Sequence, residues 1–153
     1  MHQSPTLKLP HVNASWRIGI VHSSFYEKEM KVLVESTKKA LLEAGVLPRC
    51  IKEYPVYGSF EIPLVGSALI KAQEVDALIG LGIVVQGQTH HARLIAQSVT
   101  DGIMDLQVRT QVPFSFEVLY VDSLGDAEAR LDRGREAAHA TLHSLAQLHR
   151  IHC

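Results

Sequence analysis

Cysteine, net charge and long apolar runs are all scarce in this chain, and each scarcity closes off a class of protein. Two cysteines, Cys50 and Cys153, cannot build a disulfide framework, so the reduced cytoplasm is the expected home. A formal charge of −1 over 153 residues leaves no basic footprint for nucleic acid and no charge excess of the kind that keeps chains disordered. No apolar stretch is long enough to cross a membrane, and the N-terminus carries no signal-peptide hydrophobic segment. Repeats, low-complexity tracts and interdomain linkers are missing too. What is present is 46% hydrophobic residues in a length that suits one domain, 1–153, with a proper core.

Histidine is the residue in surplus, with nine. His139 and His143 stand four apart but lack an acidic third ligand beside them, so they read as ordinary helix residues. His149, His152 and Cys153 read as a frayed terminus rather than a metal site. No metal is expected.

Residues 1–16, with Pro5 and Pro10 and no period, read as an N-terminal arm. Arg17–His22 is a short buried strand. A helix follows, with Met30, Leu33, Val34, Thr37 and Leu41 on one stripe and Gly45 just past its end. Arg49–Tyr54 forms a second strand, ended by Pro55. Tyr57–Pro63 is a loop into a helix, since proline is tolerated only near a first turn. Val75–Val85 is a third strand, apolar as a strand covered on both faces must be. The next helix should place His91, Leu94, Ile95, Val99, Gly102 and Ile103 on its inner stripe. Pro113–Val121 is a fourth strand, and Leu124 to about His149 is helix with an interruption at Gly134. Strands alternating with helices predict an α/β fold: a three-layer αβα, flavodoxin-like, four-stranded parallel sheet.

Ligands of such sheets gather at the carboxyl ends of the strands. There the run Gly80–Ala96 is the most informative stretch: a β-branched strand, a turn through Gly87-Gln88-Thr89, and a helix opening on His90 and His91. A helix N-terminus binds anions through orphan N–H groups and its dipole, and an imidazole beside it can move protons near neutral pH. Gly80, Gly82 and Gly87 do not make a dinucleotide fingerprint, and no Walker lysine, GxSxG elbow or Cys–His signature occurs. On spacing alone His91, Phe25 and Phe60 could each be core residues, and Glu61 could simply favour the positive end of its helix.

Four blocks at ungapped spacing decide between these readings: Ile18-Gly-Ile-Val-His-Ser-Ser-Phe25, Gly58-Ser-Phe-Glu-Ile-Pro63, Asp76–His91 and Val112-Pro-Phe-Ser-Phe-Glu-Val-Leu119. Through them the chain resembles the 6,7-dimethyl-8-ribityllumazine synthases over roughly residues 17–130. The resemblance implies condensation of 5-amino-6-(D-ribitylamino)uracil with 3,4-dihydroxy-2-butanone 4-phosphate, without metal or organic cofactor. It implies that Phe25 stacks on the pyrimidine and that Ser59, Phe60 and Glu61 line the ribityl side. Main-chain groups of Ile83, Val84 and Val85 meet the uracil edge. Gln88 and Thr89 hold the phosphate with help from Arg130, His91 transfers protons, and Phe116 closes the wall. It also implies self-association as a pentamer or a multiple of pentamers, with Gly58–Glu61 and His91 from one subunit and Phe116 and Arg130 from the next. Pro10 in the arm limits strand pairing and argues against a closed shell.

The chain departs from the family pattern in places. Gln86 stands where arginine is usual, Ala92-Arg93 replaces an aromatic–acid pair, Tyr57 replaces a proline, and Leu131–Ala138 replaces a lysine- and glycine-rich stretch. Arg93 is a candidate substitute cation; Arg133 and Arg135 compete with Arg130, which keeps the ungapped register. These departures mark a divergent branch and motivate an alternative, a non-catalytic lumazine- or flavin-binding paralogue. The archaeal type of riboflavin synthase, which shares the fold, is disfavoured by the Gly87-x-Thr89-x-His91 turn.

Overall fold

Apolar periodicity is what organises this chain, and the computed structural model, which describes residues 3–153, shows where each period leads. The strands are β1 (Ile18–Ser23), β2 (Ile51–Val56), β3 (Ala77–Val85) and β4 (Phe114–Val121). The helices are α1 (Glu27–Glu43), α2 (Ile62–Lys71), α3 (His91–Thr110), α4 (Leu124–Glu128) and α5 (Gly134–His152). Single 3₁₀ turns at Pro48–Cys50, Ser59–Glu61 and Leu131–Arg133 make the tighter corners. Residues 3–13 form neither helix nor strand, and residues 1 and 2 of the expected arm lie outside the described residues.

All strand pairs are parallel, in the order β2-β1-β3-β4. This is the expected doubly wound sheet. Alternating side chains feed two cores. Ile18, Ile20, Ile79, Leu81, Ile83 and Leu119 pack beneath α1 and α5, while Val21, Leu78, Val84, Phe114 and Val118 pack beneath α2 and α3. β3 lies at the centre with all but its last residue buried, which is why its sequence is a continuous apolar run. Met30, Leu33, Val34, Thr37 and Leu41 are buried on α1, and Gly45 follows with φ of 106°, both as the sequence predicts.

Four local expectations are corrected. Pro55 does not end the second strand; it lies inside β2, paired with His22, because β2 is an edge strand whose outer side needs no donor. Residues 48–50 turn instead, so β2 begins at Ile51 rather than at Arg49. The inner face of α3 consists of Ala92, Ala96, Val99, Ile103 and Leu106, while His91 is exposed and Leu94 keeps 64% of its surface. The alanines let the helix lie close to the sheet, and this rotates the stripe away from His91 and Leu94.

The last helical stretch breaks at residues 129–133, not at Gly134, which opens α5. A Cβ at Gly134 would come within 2.3 Å of Thr37 Oγ1 and 2.6 Å of the Leu33 carbonyl. Glycine is there because α5 and α1 touch backbone to backbone, not because the helix stops.

Candidate active site

The order 2-1-3-4 makes β1 and β3 the neighbours from which the chain winds in opposite directions, so their carboxyl ends splay apart and leave a crevice. A groove of about 550 Å³ fills that position. Ser23, Phe25 and Tyr26 enter it from the loop after β1, Tyr57 to Glu61 from the loop after β2, and Ile83, Val84 and Val85 from the end of β3. One side of α3 closes it with His91, Leu94, Ile95 and Ser98.

Cross-ties hold the first two loops together. Ser24 Oγ donates to the Val56 carbonyl at 2.7 Å and Ser24 N to the Tyr57 carbonyl at 3.3 Å. Phe25 N donates to Ser23 Oγ at 3.1 Å. Tyr26 adopts a left-handed backbone (φ 53°, ψ 57°) at the N-cap of α1, a conformation that costs a non-glycine residue about 1–2 kcal/mol. Phe25 and Tyr57 meet edge to face, centroids 5.7 Å apart at 85°. Phe25, Tyr57 and Phe60 keep 52%, 78% and 62% of their surface exposed, so the rim is aromatic and open to a flat ligand.

The floor is polar at two points. Ser59 Oγ and Glu61 Oε2 are buried and take no hydrogen bond from the protein. Ser59 reaches this position because β3 offers Gly82, where a Cβ would stand 2.3 Å from the hydroxyl oxygen. Buried acceptors without partners cost about 1–3 kcal/mol each, so this pair fits a hydroxyl-rich ligand.

Gln88 and Thr89 lie in the exposed turn before α3, next to the groove rather than in its lining. His91 N donates to Thr89 Oγ1 at 3.3 Å, and the N-cap residue His90 makes no capping bond. The remaining first-turn N–H groups of this long helix therefore point at the turn with their dipole unopposed. Gln86 faces β4: its N–H donates to the Val121 carbonyl at 2.8 Å, and Tyr120 hydroxyl donates to its side-chain oxygen. Arg93 is exposed on the first turn.

Phe116 and Arg130 are not brought to this groove. They line a second one of about 600 Å³ along the outer edge of β4, with Glu117, Asp122, Asp126 and Arg133. Arg130 Nη1 donates to the Asp126 carbonyl at 2.6 Å. Arg133, one of its competitors, is committed elsewhere, with Nε 2.7 Å from Glu117 Oε1 and Nη2 3.6 Å from Glu136 Oε2. Arg135 is exposed on α5, outside both grooves. Burial pushes the Glu117 carboxyl up to about 7 against the pull of Arg133, with Glu136 adding to the rise.

Sequence reasoning did not single out Ser98, which lines the first groove, or Glu117, which lines the second. The readable signal for Glu117 was a carboxylate inside an apolar strand. Among the described residues no cluster of three or more histidines, cysteines or carboxylates could hold a metal, and no helix is long and apolar enough to cross a membrane.

Known proteins match this sequence over most of its length. A model of the family 6,7-dimethyl-8-ribityllumazine synthase matches residues 15–149. The protein of that name from Polaromonas sp. is 35% identical over 122 residues, 79% of each chain. That from Paenarthrobacter aurescens is 34% identical over 152 residues, 92% of each chain. That from Limosilactobacillus reuteri is 35% identical over 136 residues, 88% of each chain.

Proposed function

The chain belongs to the 6,7-dimethyl-8-ribityllumazine synthase family, and from that premise we propose that the groove at the carboxyl ends of β1 and β3 is where the family's reaction runs. The chain is a transferase that condenses 5-amino-6-(D-ribitylamino)uracil with 3,4-dihydroxy-2-butanone 4-phosphate. The product is 6,7-dimethyl-8-ribityllumazine, with release of phosphate and water, in the penultimate step of riboflavin biosynthesis.

The observation that carries the placement is the pair of buried, unpartnered oxygens, Ser59 Oγ and Glu61 Oε2, beneath an aromatic rim. A ribityl chain supplies the hydroxyl donors those oxygens need, and a pyrimidine supplies a flat face for Phe25. Phe60 flanks the ribityl chain, and main-chain groups at Ile83, Val84 and Val85 meet the uracil edge. Gln88 and Thr89 with the first turn of α3 receive the phosphate. His91, beside that turn, takes and returns the protons of imine formation, phosphate elimination and ring closure. Neither substrate asks the site for a metal or an organic cofactor.

Phe116 and Arg130 complete the site from a neighbouring subunit. What supports this is that they line a separate groove of the same chain, and neither lines the one that holds His91. Following what the family resemblance implies, we take the working unit to be a homopentamer, or a multiple of one, in the cytoplasm, each chain one synthase-like domain with residues 1–16 as its arm. Arg130 suits the phosphate better than Arg133, which Glu117 already engages. Arg93 is a second cation for the same phosphate; a phosphate-analogue titration unchanged in Arg93→Ala would remove it from the site.

Mixing the purified protein with both substrates and following lumazine absorbance tests the activity. Formation well above the spontaneous rate is the expected result. Binding of the ribityl substrate with no rate above background would instead identify a non-catalytic paralogue.

A further inference from the structure

Resting on the reading of Arg130 as the phosphate-binding arginine, we propose that Glu117 is a positioning residue for phosphate capture: its carboxylate grips Arg133 and so holds the turn that presents Arg130. Glu117 sits in the middle of β4, in register with Leu81 of the central strand, and is 9% exposed. Its Oε1 lies 2.7 Å from Arg133 Nε. Arg133 closes the 3₁₀ turn that Arg130 opens, and its N–H donates to the Arg130 carbonyl at 3.1 Å. A second tether holds the same turn from α1, where Ser36 Oγ donates to the Leu131 carbonyl at 2.9 Å. These two tethers flank the Arg130 backbone, while its side chain remains exposed in the groove that Phe116 also lines.

Net stability is a weak reason for such a pair. A carboxylate and a guanidinium withdrawn from water give back in attraction about what desolvation costs, and an apolar replacement is often neutral or better. A buried charge tied to a ligand-binding turn points to geometry as its use. The Glu136 carboxylate, 3.6 Å from Arg133 Nη2, steadies the far side of the guanidinium and leaves Glu117 as the direct partner of Nε.

The test is steady-state kinetics on the assembled enzyme with Glu117→Gln, Arg133→Gln, Arg130→Ala and the double variant Glu117→Gln/Arg130→Ala. Glu117→Gln should raise KM for the butanone phosphate about tenfold, since loosening of a binding group by even an ångström is felt strongly. The kcat and the KM for the ribitylaminouracil should stay within about twofold. Arg133→Gln should reproduce that split, and serves if the Glu117 variant folds poorly. In the Arg130→Ala background the Glu117 change should add nothing, because both act through one contact. An unchanged KM in Glu117→Gln and Arg133→Gln, or effects that add to that of Arg130→Ala, would overturn the positioning role while leaving the site intact. An unchanged KM in Arg130→Ala would overturn the phosphate reading, and the positioning role with it.

Discussion

Two grooves of this chain are built in opposite ways. The one between β1 and β3 is aromatic, tied by hydrogen bonds between short loops, and holds two buried oxygens without partners. The one along β4 is charged, and its guanidinium groups contact Glu117, Glu136 and a helix carbonyl. The first suits a flat heterocycle with a polyol tail, where stacking area and hydroxyl contacts decide affinity. The second suits a compact anion, where charge decides. A condensation that joins a heterocycle to a sugar-like phosphate needs both kinds of surface at one point. A single chain keeps them apart, which is the physical reason to expect a second copy to bring them together.

His91→Ala tests the first groove most severely. Loss of a positioned acid–base group typically costs ~10²–10⁴ in rate, so kcat should fall by at least two orders of magnitude while the ribityl substrate still binds. A variant within tenfold of the parent would move the proton transfers elsewhere. The separation of the grooves can be tested next by mixing His91→Ala and Arg130→Ala chains after dissociation and reassembly. In a ring of heterologous contacts about a quarter of interfaces would then join an intact His91 to an intact Arg130. At butanone phosphate well below its KM, turnover above either parent is expected; its absence would place each site within one chain.

Arg130→Ala alone probes the charged groove. Hydrogen bonds to a charged group contribute about 1.5–3 kcal/mol, so KM for the butanone phosphate should rise roughly 10- to 100-fold. Phe25→Ala is the gentler counterpart on the aromatic side. Ring stacking adds about 0.5–1.5 kcal/mol beyond buried area, so KM for the uracil should rise several-fold and KM for the phosphate should not move. If the two variants disturb both substrates equally, the division of labour between the grooves fails.

The first groove was far more legible in the sequence than the second. Its residues come from short loops at strand ends, so Phe25, Ser59, Glu61 and His91 could be placed at one sheet edge by counting strands. Glu117 could not be placed, because its meaning depends on Arg133, sixteen positions away and on a turn that no period marks. The same limit explains the local errors. α1 was readable because large side chains mark its inner face, whereas Ala92 and Ala96 face inward on α3 and carry little signal. Pro55 looks like a strand end until β2 is known to be an edge, and Gly134 looks like a break until α1 is known to pack against it. Each miss is a case where a distant element set the local outcome.

The smallest expected effect follows from the charge state of Glu117 and separates folding from function. Its carboxyl is raised to about 7 in the fold, mainly by burial, from an ordinary value near 4.5. As pH rises the unfolded chain therefore releases this proton first. The group's contribution to stability is complete below the ordinary value and is lost as pH climbs through about 7. Melting temperature should accordingly decline between pH 5 and pH 7.5 by a part that Glu117→Gln removes, roughly 5–10 °C for a chain of this size. At pH 7.5 the variant should melt at or above the parent while binding the butanone phosphate less well. That opposition of sign is what a positioning charge produces and a structural one does not. A variant that is both less stable and weaker in binding would mark the Glu117–Arg133 pair as part of the scaffold, and the charged groove would then owe its geometry to the Ser36 tether and to α4.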